Sequence, residues 1–251
     1  MKLSVIAASA LITIAAFGED VTSVETSNTF GVMKVSCSAK KVIVCTPWVK
    51  AVTAGDIPLK DLVMTAGLED GDSIILYKGQ TGKVSDFKSW VLDKNGVWQG
   101  VAVTDVHGTT LPGADEAIAR GAGFWFVKKN FTAGATYDLY LYGQDTADAA
   151  KSTVVVNAYN LVANPKTVDV AITALSGVTP AVGDTIQVPN GAAPAKVYTY
   201  KNGAWGKSVK TQIGSTGQYK MVWQAINKDE KIPAGQGFWY ISKGGAGAIA
   251  W

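Results

Sequence analysis

GAGFWFV at residues 121–127 returns as GQGFWYI at residues 235–241. Each copy has two glycines separated by one residue, then three aromatic residues and an aliphatic one. Side chains alternate along a strand, so such a segment presents apolar groups on both faces and is usually covered on both. The paired glycines allow another backbone or ring to approach closely just before the strand begins. The repeated stretch therefore predicts a core strand that the chain uses twice.

A glycine-rich aromatic motif is also compatible with a ligand platform or a nucleotide-binding loop. The nucleotide loop is excluded because no third glycine stands at the required spacing and because the motif leads into a strand rather than a helix. A core strand is favoured over a platform because both faces of the segment are apolar. The residues assigned to this structural motif are Gly121, Gly123, Phe124, Trp125, Gly235, Gly237, Phe238 and Trp239.

Further landmarks recur in the same order in the two halves of the chain. A Gly-Asp pair opens an apolar run at Gly71-Asp72 and again at Gly183-Asp184. The pattern Lys-Asn-Gly-x-Trp stands at 94–98 and 201–205, and Asn-Gly between apolar runs predicts a tight type I′ hairpin at each site. The second copy has seven more residues between this hairpin and the aromatic strand, and we place them around the glycine-rich stretch 214–218.

A short helix is predicted ahead of each Gly-Asp pair. Residues 56–67 contain an aspartate that can act as N-cap, an early proline, apolar residues three or four apart and a final glycine. Residues 169–177 show a shorter and weaker version of the same pattern. The remaining apolar segments are short and bounded by turn residues, which is typical of strands.

These repeats predict an all-β protein with one short helix per repeat. Four landmarks in one order favour duplication of a unit that folds as a small β-sandwich or partly open barrel, present as two tandem domains. A polar, alanine-rich stretch separates the two copies and is predicted to be a linker. The predicted boundaries are 19–146 for the first repeat domain, 147–153 for the linker and 154–251 for the second repeat domain.

The N-terminus is typical of a secretory signal peptide. Lys2 precedes the largely apolar run Leu3–Phe17, and Ala16 and Gly18 supply small residues before an acidic pair. We therefore expect residues 1–18 to be a signal peptide and the protein to be secreted, to the extracellular space, the cell surface or the periplasm. The run is shorter than the roughly 20 residues that cross a bilayer, so no membrane span is expected after cleavage. A retained leader would act as a membrane anchor or an assembly element.

Cys37 and Cys45 are the two cysteines of the chain. In an oxidising compartment a pair this close could form a disulfide. The alternative is two buried thiols on adjacent strands of a hairpin that turns at residues 39–41, where the two side chains would not lie directly opposite each other.

Charge and composition exclude several classes of function. The formal net charge is +3 and Arg120 is the single arginine, so the guanidinium contacts that favour phosphate and base recognition are nearly lacking. No nucleic-acid partner is therefore expected. Two cysteines and one distant histidine do not make a zinc site, and we expect no metal and no cofactor.

No catalytic constellation is visible in the sequence. His107 is the single histidine, and it lies in a turn-like stretch without a nucleophile elbow. Residues 69–72 read EDGD and offer carboxylates, but they lack a complete calcium loop, so a solvated turn is expected there. We therefore predict that the protein is not an enzyme. A hydrolase acting on an extracellular polymer would need a polar cleft with two converging carboxylates.

The second half resembles a known kind of repeat. Residues 160–165 read NLVANP and are followed by the Gly-Asp strand, the aromatic hairpin and Gly-x-Gly-Phe-Trp. This order is similar to a β-rich repeat of many uncharacterised secreted bacterial proteins. The first half departs from it, because residues 42–47 read VIVCTP and lack both asparagines. The resemblance implies a cell-surface or extracellular location and identifies no catalytic residue.

Two hypotheses of function remain. The first is a structural or assembly protein of the bacterial cell surface or extracellular matrix, whose copies join through edge strands, with the C-terminal residues 248–251 as a docking element. The second is a carbohydrate-binding or adhesion module that stacks an extracellular glycan on exposed aromatic rings. The rings assigned to such a platform are those of Trp90, Trp98, Tyr198 and Trp205.

Overall fold

The computed structural model describes most of the chain after its N-terminal segment. The predicted signal peptide, His107, part of the first predicted helix, part of the predicted linker and residues 214–216 of the glycine-rich stretch lie outside the described residues. The described residues are 29–45, 57–59, 64–65, 68–81, 84–100, 117–118, 121–145, 151–166, 168–191, 193–213 and 217–251.

The described residues confirm the all-β prediction. Strands of the first half are β1 (Thr29–Cys37), β2 (Lys41–Val44), β3 (Ile57–Pro58), β4 (Met64–Thr65), β5 (Ser73–Thr81), β6 (Val84–Leu92), β7 (Trp98–Gly100), β8 (Ala117–Ile118), β9 (Phe124–Val127) and β10 (Tyr137–Asp145). Strands of the second half are β11 (Lys151–Val154), β12 (Tyr159–Ala163), β13 (Val170–Ala171), β14 (Ser176–Thr179), β15 (Thr185–Asn190), β16 (Ala193–Lys201), β17 (Ala204–Ile213), β18 (Gln218–Ala225), β19 (Lys231–Ile232), β20 (Gly237–Ile241) and β21 (Ala246–Ala250).

The two halves repeat one antiparallel topology. The largest sheet has the order β2-β9-β5-β6-β7 in the first half and β12-β20-β15-β16-β17-β18 in the second. Each half adds a three-stranded sheet, β1-β10-β4 or β11-β21-β14, and a two-stranded pair, β3-β8 or β13-β19. Strand for strand the halves correspond, and β18 is the additional edge strand of the second half.

Each half has its own hydrophobic core. Phe124 and Phe126 are fully buried in the first cluster, and Phe238 and Tyr240 are fully buried at the corresponding places in the second. These side chains come from alternate positions of β9 and β20, as the two-faced pattern of the repeated stretch requires.

Neither predicted helix forms as an α-helix within the described residues. Ile172–Ala174 is one 3-10 turn, and the residues just before it form β13, which pairs with β19. In the first half Ile57–Pro58 and Met64–Thr65 are short strands, while residues 60–63 lie outside the described part of the chain. Ile172 is fully buried in the second core, so tertiary packing decides the local structure over a weak helical pattern.

The aspartate of each repeated Gly-Asp pair is buried and hydrogen-bonded, so Asp72 does not belong to the solvated turn that was predicted for residues 69–72. Asp72 and Asp184 are fully buried. The Asp72 carboxylate accepts hydrogen bonds from the backbone N–H groups of Glu69 at 2.9 Å and Lys129 at 2.8 Å, and from the Lys128 ammonium at 3.0 Å. Because it ties the loop before β5 to the end of β9, it holds two elements of the first core together.

Asp184 repeats this arrangement in the second half. It accepts hydrogen bonds from the backbone N–H groups of Ala181 at 3.0 Å and Lys243 at 2.6 Å. The hydroxyl of Tyr240 donates a further bond at 2.6 Å in place of the lysine ammonium of the first half. The glycine before each aspartate, Gly71 or Gly183, has a positive φ, which a glycine adopts without steric cost.

The two asparagines of NLVANP hold loops of the second half. The Asn160 side chain bonds both backbone groups of Val155 and the carbonyl of Tyr240. Asn164 is fully buried, and its amide donates to the carbonyls of Val168 and Ile232. These bonds satisfy buried backbone groups, so the asparagines of this motif have a structural role.

The two predicted hairpins differ. Asn202 and Gly203 both have positive φ and join Lys201 to Ala204 as a tight two-residue turn, as predicted. In the first half Leu92 pairs with Trp98 across a five-residue loop, so the prediction of a second tight hairpin is wrong. The Asp93 carboxylate accepts hydrogen bonds from the N–H groups of Asn95 and Val97, which stabilises the wider loop.

Three smaller predictions are corrected by the strand pairing. Residues 151–153 belong to β11 rather than to a linker, because β11 pairs with β21. The C-terminal strand β21 lies between β11 and β14, so both of its edges are already paired and it is not an open docking element. The two cysteines are not on adjacent strands of one hairpin, because Cys37 pairs with Tyr137 of β10 whereas Cys45 follows β2, which belongs to a different sheet.

Of the two alternatives for the cysteines, the structure has the free thiols and not the disulfide. Both side chains are buried and the two are not bonded to each other. Cys37 packs in the first core, and the Cys45 thiol donates to the carbonyl of Asn164 in the second half at 3.2 Å.

Candidate functional site

The repeated aromatic strands pack the two halves against each other. Trp125 and Trp239 project from the faces of β9 and β20 that lie opposite the cores, and their ring centroids are 5.5 Å apart. Ile43, Trp125 and Leu161 are buried together, and Tyr77 and Trp239 pack on them. The second apolar face of each strand is therefore covered by the other half of the chain.

Backbone contacts between the halves follow an approximate two-fold relation. Val44 of β2 bridges Gln236, and the corresponding Val162 of β12 bridges Ala122. The adjoining hydrogen bonds correspond as well: Cys45 N–H donates to Gly235 O and Ala163 N–H donates to Gly121 O, both at 3.0 Å.

The second glycine of each motif allows the two halves to approach each other closely at this interface. A Cβ added to Gly237 would overlap the Cγ2 of Ile43, and one added to Gly123 would lie 3.0 Å from the carbonyl oxygen of Val162 and 3.1 Å from Leu161 Cγ. The first glycines, Gly121 and Gly235, have positive φ. The motif therefore has a structural role, because it allows the two halves to pack against each other.

The proposed aromatic platform lies in the cores and is wrong as a ligand surface. Trp90 and Trp98 are 2% and 6% exposed in the first core, and Tyr198 and Trp205 are 1% and 6% exposed in the second. Their hairpins pack these rings inward against the aromatic strands, for example Trp205 against Tyr240 at 5.9 Å between centroids. A sugar cannot stack on these rings while the cores are intact.

An open feature of the second half is the hairpin of β17 and β18, which we call the arm. β17 pairs with β16 over Ala204–Gly206 alone, whereas it pairs with β18 over Gly206–Ile213. Residues 207–213 and their partners 218–224 therefore form a two-stranded ribbon about 23 Å long beyond the sheet. Among the described strands β18 has β17 as its one neighbour, so its outer edge is open.

One face of the arm is apolar at the open edge. Tyr219 and Met221 are 55% and 64% exposed, and Trp223, two residues further, lies on the same face. Side chains two apart on a strand share a face. Lysines 207, 210 and 220 give the arm a charge of +3, because the sequence 204–225 contains no acidic residue.

An ion pair fixes the base of the arm. Lys207 pairs with Glu230, which also accepts a hydrogen bond from the hydroxyl of Tyr198 at 2.7 Å. The bonds from Lys207 and Tyr198 hold the pKa of the Glu230 carboxyl below its usual range. Burial, together with this bond, raises the pKa of Tyr198.

A cleft of about 340 Å³ opens between the two halves. Strands β1 and β2 form one wall, and the turn after β15 together with the segment from β19 to β20 forms the other. Four lysines line the cleft and no acidic residue does so among the described ones. The lysines are Lys34, Lys41, Lys196 and Lys231.

The charge of the chain is uneven. Residues 151–251 contain ten lysines and four acidic residues, a formal charge of +6, whereas residues 1–150 contain 13 basic and 16 acidic residues, a formal charge of −3. Both the arm and one wall of the cleft belong to the basic half.

Comparisons with protein-family models, curated proteins and solved structures find no match. In the described part of the chain, no group of three His, Cys, Asp or Glu side chains is placed to hold a metal ion. Nor does that part contain a helix with the length and apolarity to cross a bilayer.

Sequence reasoning found the repeated strand but missed the two surface features. The arm exists because β17 extends beyond its short pairing with β16, and the sequence does not show the length of that pairing. The cleft combines side chains from both halves. The sole sequence signals were the seven extra residues of the second copy and the excess of lysine after residue 150.

Proposed function

We propose that this protein is an exported, non-enzymatic assembly protein of the bacterial cell surface or extracellular matrix, whose copies join through the open edge of β18. The observation that carries the proposal is the arm. A two-stranded ribbon exposed on both faces is marginally stable in water, and a further strand stabilises it. An open edge is a template for such a strand, since its backbone groups lack partners. Export rests on the predicted signal peptide.

A second copy of this chain fits the edge. Two β18 strands related by a two-fold axis perpendicular to the sheet would run antiparallel and keep the same face. If the axis passes at Met221, Tyr219 of one copy lies opposite Trp223 of the other, and Lys220 lies opposite Val222. The apolar stripes then become cross-strand neighbours and no lysine faces a lysine directly.

Cross-linking through Met221→Cys tests this arrangement. Directly opposite residues of antiparallel strands have Cα atoms about 4.5–5.5 Å apart, which suits a disulfide. Because Cys37 and Cys45 are buried, the introduced thiol is the accessible one. Mild oxidation should give a covalent dimer of Met221→Cys. The matched control is Val182→Cys, a position 73% exposed and outside the arm, which should remain monomeric.

Shortening the arm tests whether it is required. Ser208 and Trp223 are cross-strand partners, so replacing residues 209–222 with Asn-Gly closes a short hairpin in register. No member of the second core cluster lies in residues 207–224, so the variant should keep its thermal midpoint. Light scattering should show assembly of the parent chain and a monomer for this variant. A parent chain that is monomeric at every concentration, or a shortened variant that assembles equally, overturns the proposal.

Export is tested separately. Fractionation of a bacterium that produces the chain should place it outside the cytoplasm, with a mass that corresponds to cleavage after Gly18. Uncleaved chain confined to the cytoplasm would refute the location without bearing on strand pairing.

A further inference from the structure

We propose that the cleft between the halves binds an acidic saccharide of one or two units, with Lys41, Lys196 and Lys231 as the groups that hold its carboxylates. This site is separate from the arm, and the inference does not depend on assembly. It also differs from the aromatic platform expected from the sequence, whose rings are buried.

Three lysines of the cleft lack a carboxylate partner among the described residues, and one of them, Lys41, has its Nζ 4.6 Å from the centroid of the Trp125 ring. Lys34 is paired with Asp138 at 2.8 Å, which offsets its charge. Lys41, Lys196 and Lys231 have no carboxylate within ion-pair distance among the described residues, although Lys196 is near enough to Glu230 to influence its ionisation. Like charges gathered in a concave surface raise the local concentration of an anion. Lys41 comes from the first half, and the other two come from the second.

The walls suit a saccharide. Ser38, Asn190 and Gln236 bring hydroxyl and amide groups to the cleft, which match sugar hydroxyls. Beside them lie Pro189 and Pro233, which are not buried and against which C–H groups can pack. The Gln236 side chain is positioned by a bond from its Nε2 to Pro189 O at 3.0 Å, which leaves its carbonyl oxygen as an acceptor.

The volume of the cleft limits the size of the ligand. A volume of about 340 Å³ is near the lower limit of ligand pockets, about 300 Å³, so one or two sugar units fit. The cations that line the described part of the cleft are lysine ammonium groups, point charges that hold carboxylate and phosphate oxygens alike. The hydroxyl and amide groups beside them favour an anion carried on a hydroxylated ring, and a uronate is the form proposed here.

Calorimetric titration of the full chain with a uronic-acid disaccharide tests the site. The probe should bind, and its neutral counterpart of the same linkage should not. Lys41→Gln, Lys196→Gln and Lys231→Gln together should weaken binding by roughly tenfold or more, since each exposed ion pair contributes about twofold to fivefold. The matched control is Lys94→Gln, Lys201→Gln and Lys243→Gln, which removes the same charge from positions outside the cleft and should bind as the parent does.

Three other outcomes of the titration would overturn the site. Equal weakening in the two triple variants would mean that the charge of the whole chain attracts the probe. Equal binding of the neutral disaccharide would remove the role of the lysines, and inorganic pyrophosphate binding as tightly as the uronate would show a phosphate ligand instead. Binding restored by arginine at the three cleft positions would support the site, because arginine retains the charge. The shortened arm keeps all three lysines, so its titration separates this inference from assembly.

Discussion

Trp125 and Trp239 occupy corresponding places in the two copies of one motif and pack against each other across the boundary between the halves, with ring centroids 5.5 Å apart. Each of these rings also contacts another ring of the first half: Phe87 lies 5.5 Å from Trp125, and Tyr77 lies 5.1 Å from Trp239. The same repeated strand thus builds a core with its phenylalanine side and joins the halves with its tryptophan side.

Trp239→Ala should therefore weaken the packing between the two halves. Because Trp239 is only partly buried, we expect a loss of about 2 kcal/mol in the free energy of unfolding, less than the ~3–5 kcal/mol of a fully buried tryptophan. Chemical denaturation monitored by circular dichroism measures it. Tyr219→Ala on the exposed arm is the control and should change the stability of dilute protein by less than about 0.5 kcal/mol.

The coupling between the two tryptophans is measurable in a double-mutant cycle. Trp125→Ala and Trp239→Ala together should cost less than the sum of the single changes, with a difference of about 0.5–1.5 kcal/mol for an aromatic pair. Strict additivity would show that the halves do not pack through these rings.

Gly237→Ala should destabilise the same interface by steric overlap. The added methyl would meet Cγ2 of Ile43, which is a stiff β-branched side chain, so we expect a cost of about 2–3 kcal/mol. Adding Ile43→Ala removes that methyl group, and the double variant should be more stable than the sum of the two single changes predicts. Gly123→Ala, with its nearest contact at 3.0 Å, should cost less than Gly237→Ala.

Both buried aspartates should contribute to stability, and Asp72 should contribute more because it also pairs with the buried Lys128 ammonium. Asp72→Asn and Asp184→Asn each replace a carboxylate that accepts several hydrogen bonds with a group that has one acceptor oxygen. Asp184→Asn should lose about 2–3 kcal/mol of stability, since buried donors are left without partners, and Asp72→Asn should lose more, since it also removes a carboxylate partner of the buried Lys128. Asp86→Asn, at an exposed position of β6, is the control and should be nearly neutral. Thermal unfolding of the three variants measures the effect.

Local chemistry explains which elements were predictable. The two-faced aromatic strand and the Asn202-Gly203 turn follow from side-chain alternation and from the tolerance of these residues for positive φ, and the structure contains both. Asn95-Gly96 carries the same signal, but Asp93 competes for its backbone N–H groups. The helical pattern at 169–177 failed because Ile172 is taken into the core.

Contacts between distant residues explain what was not predictable. Tryptophan content does not show which side of a hairpin its rings occupy, so Trp90 and Trp205 were assigned to a surface that they do not reach. Cys37 pairs with a strand a hundred residues later, which removes it from the hairpin that its spacing with Cys45 suggests. The cleft needs both halves in place before its lysines meet.

The stability of the protein should fall as pH rises above about 9. Burial raises the pKa of the Cys37 thiol from its ordinary value of 9.0 to about 12, so the folded state retains a proton that the unfolded chain loses. The unfolded state then binds fewer protons, and stability decreases with pH across that window, by about 1 kcal/mol at pH 10 from this thiol alone. Denaturation at pH 8, 9 and 10 measures the decline, which should be shallower in Cys37→Ala.

Salt should act in opposite directions on the two proposed contacts. Pairing of two arms brings together lysines 207, 210 and 220 of both copies, so screening should strengthen assembly as ionic strength rises. Binding of a uronate in the cleft joins opposite charges, so the same salt should weaken it. Light scattering and titration calorimetry over one series of sodium chloride concentrations measure both effects. If added salt instead dissociates the assembly, the copies associate by attraction between the acidic first half and the basic second half. The β18 edge would then not be the assembly interface.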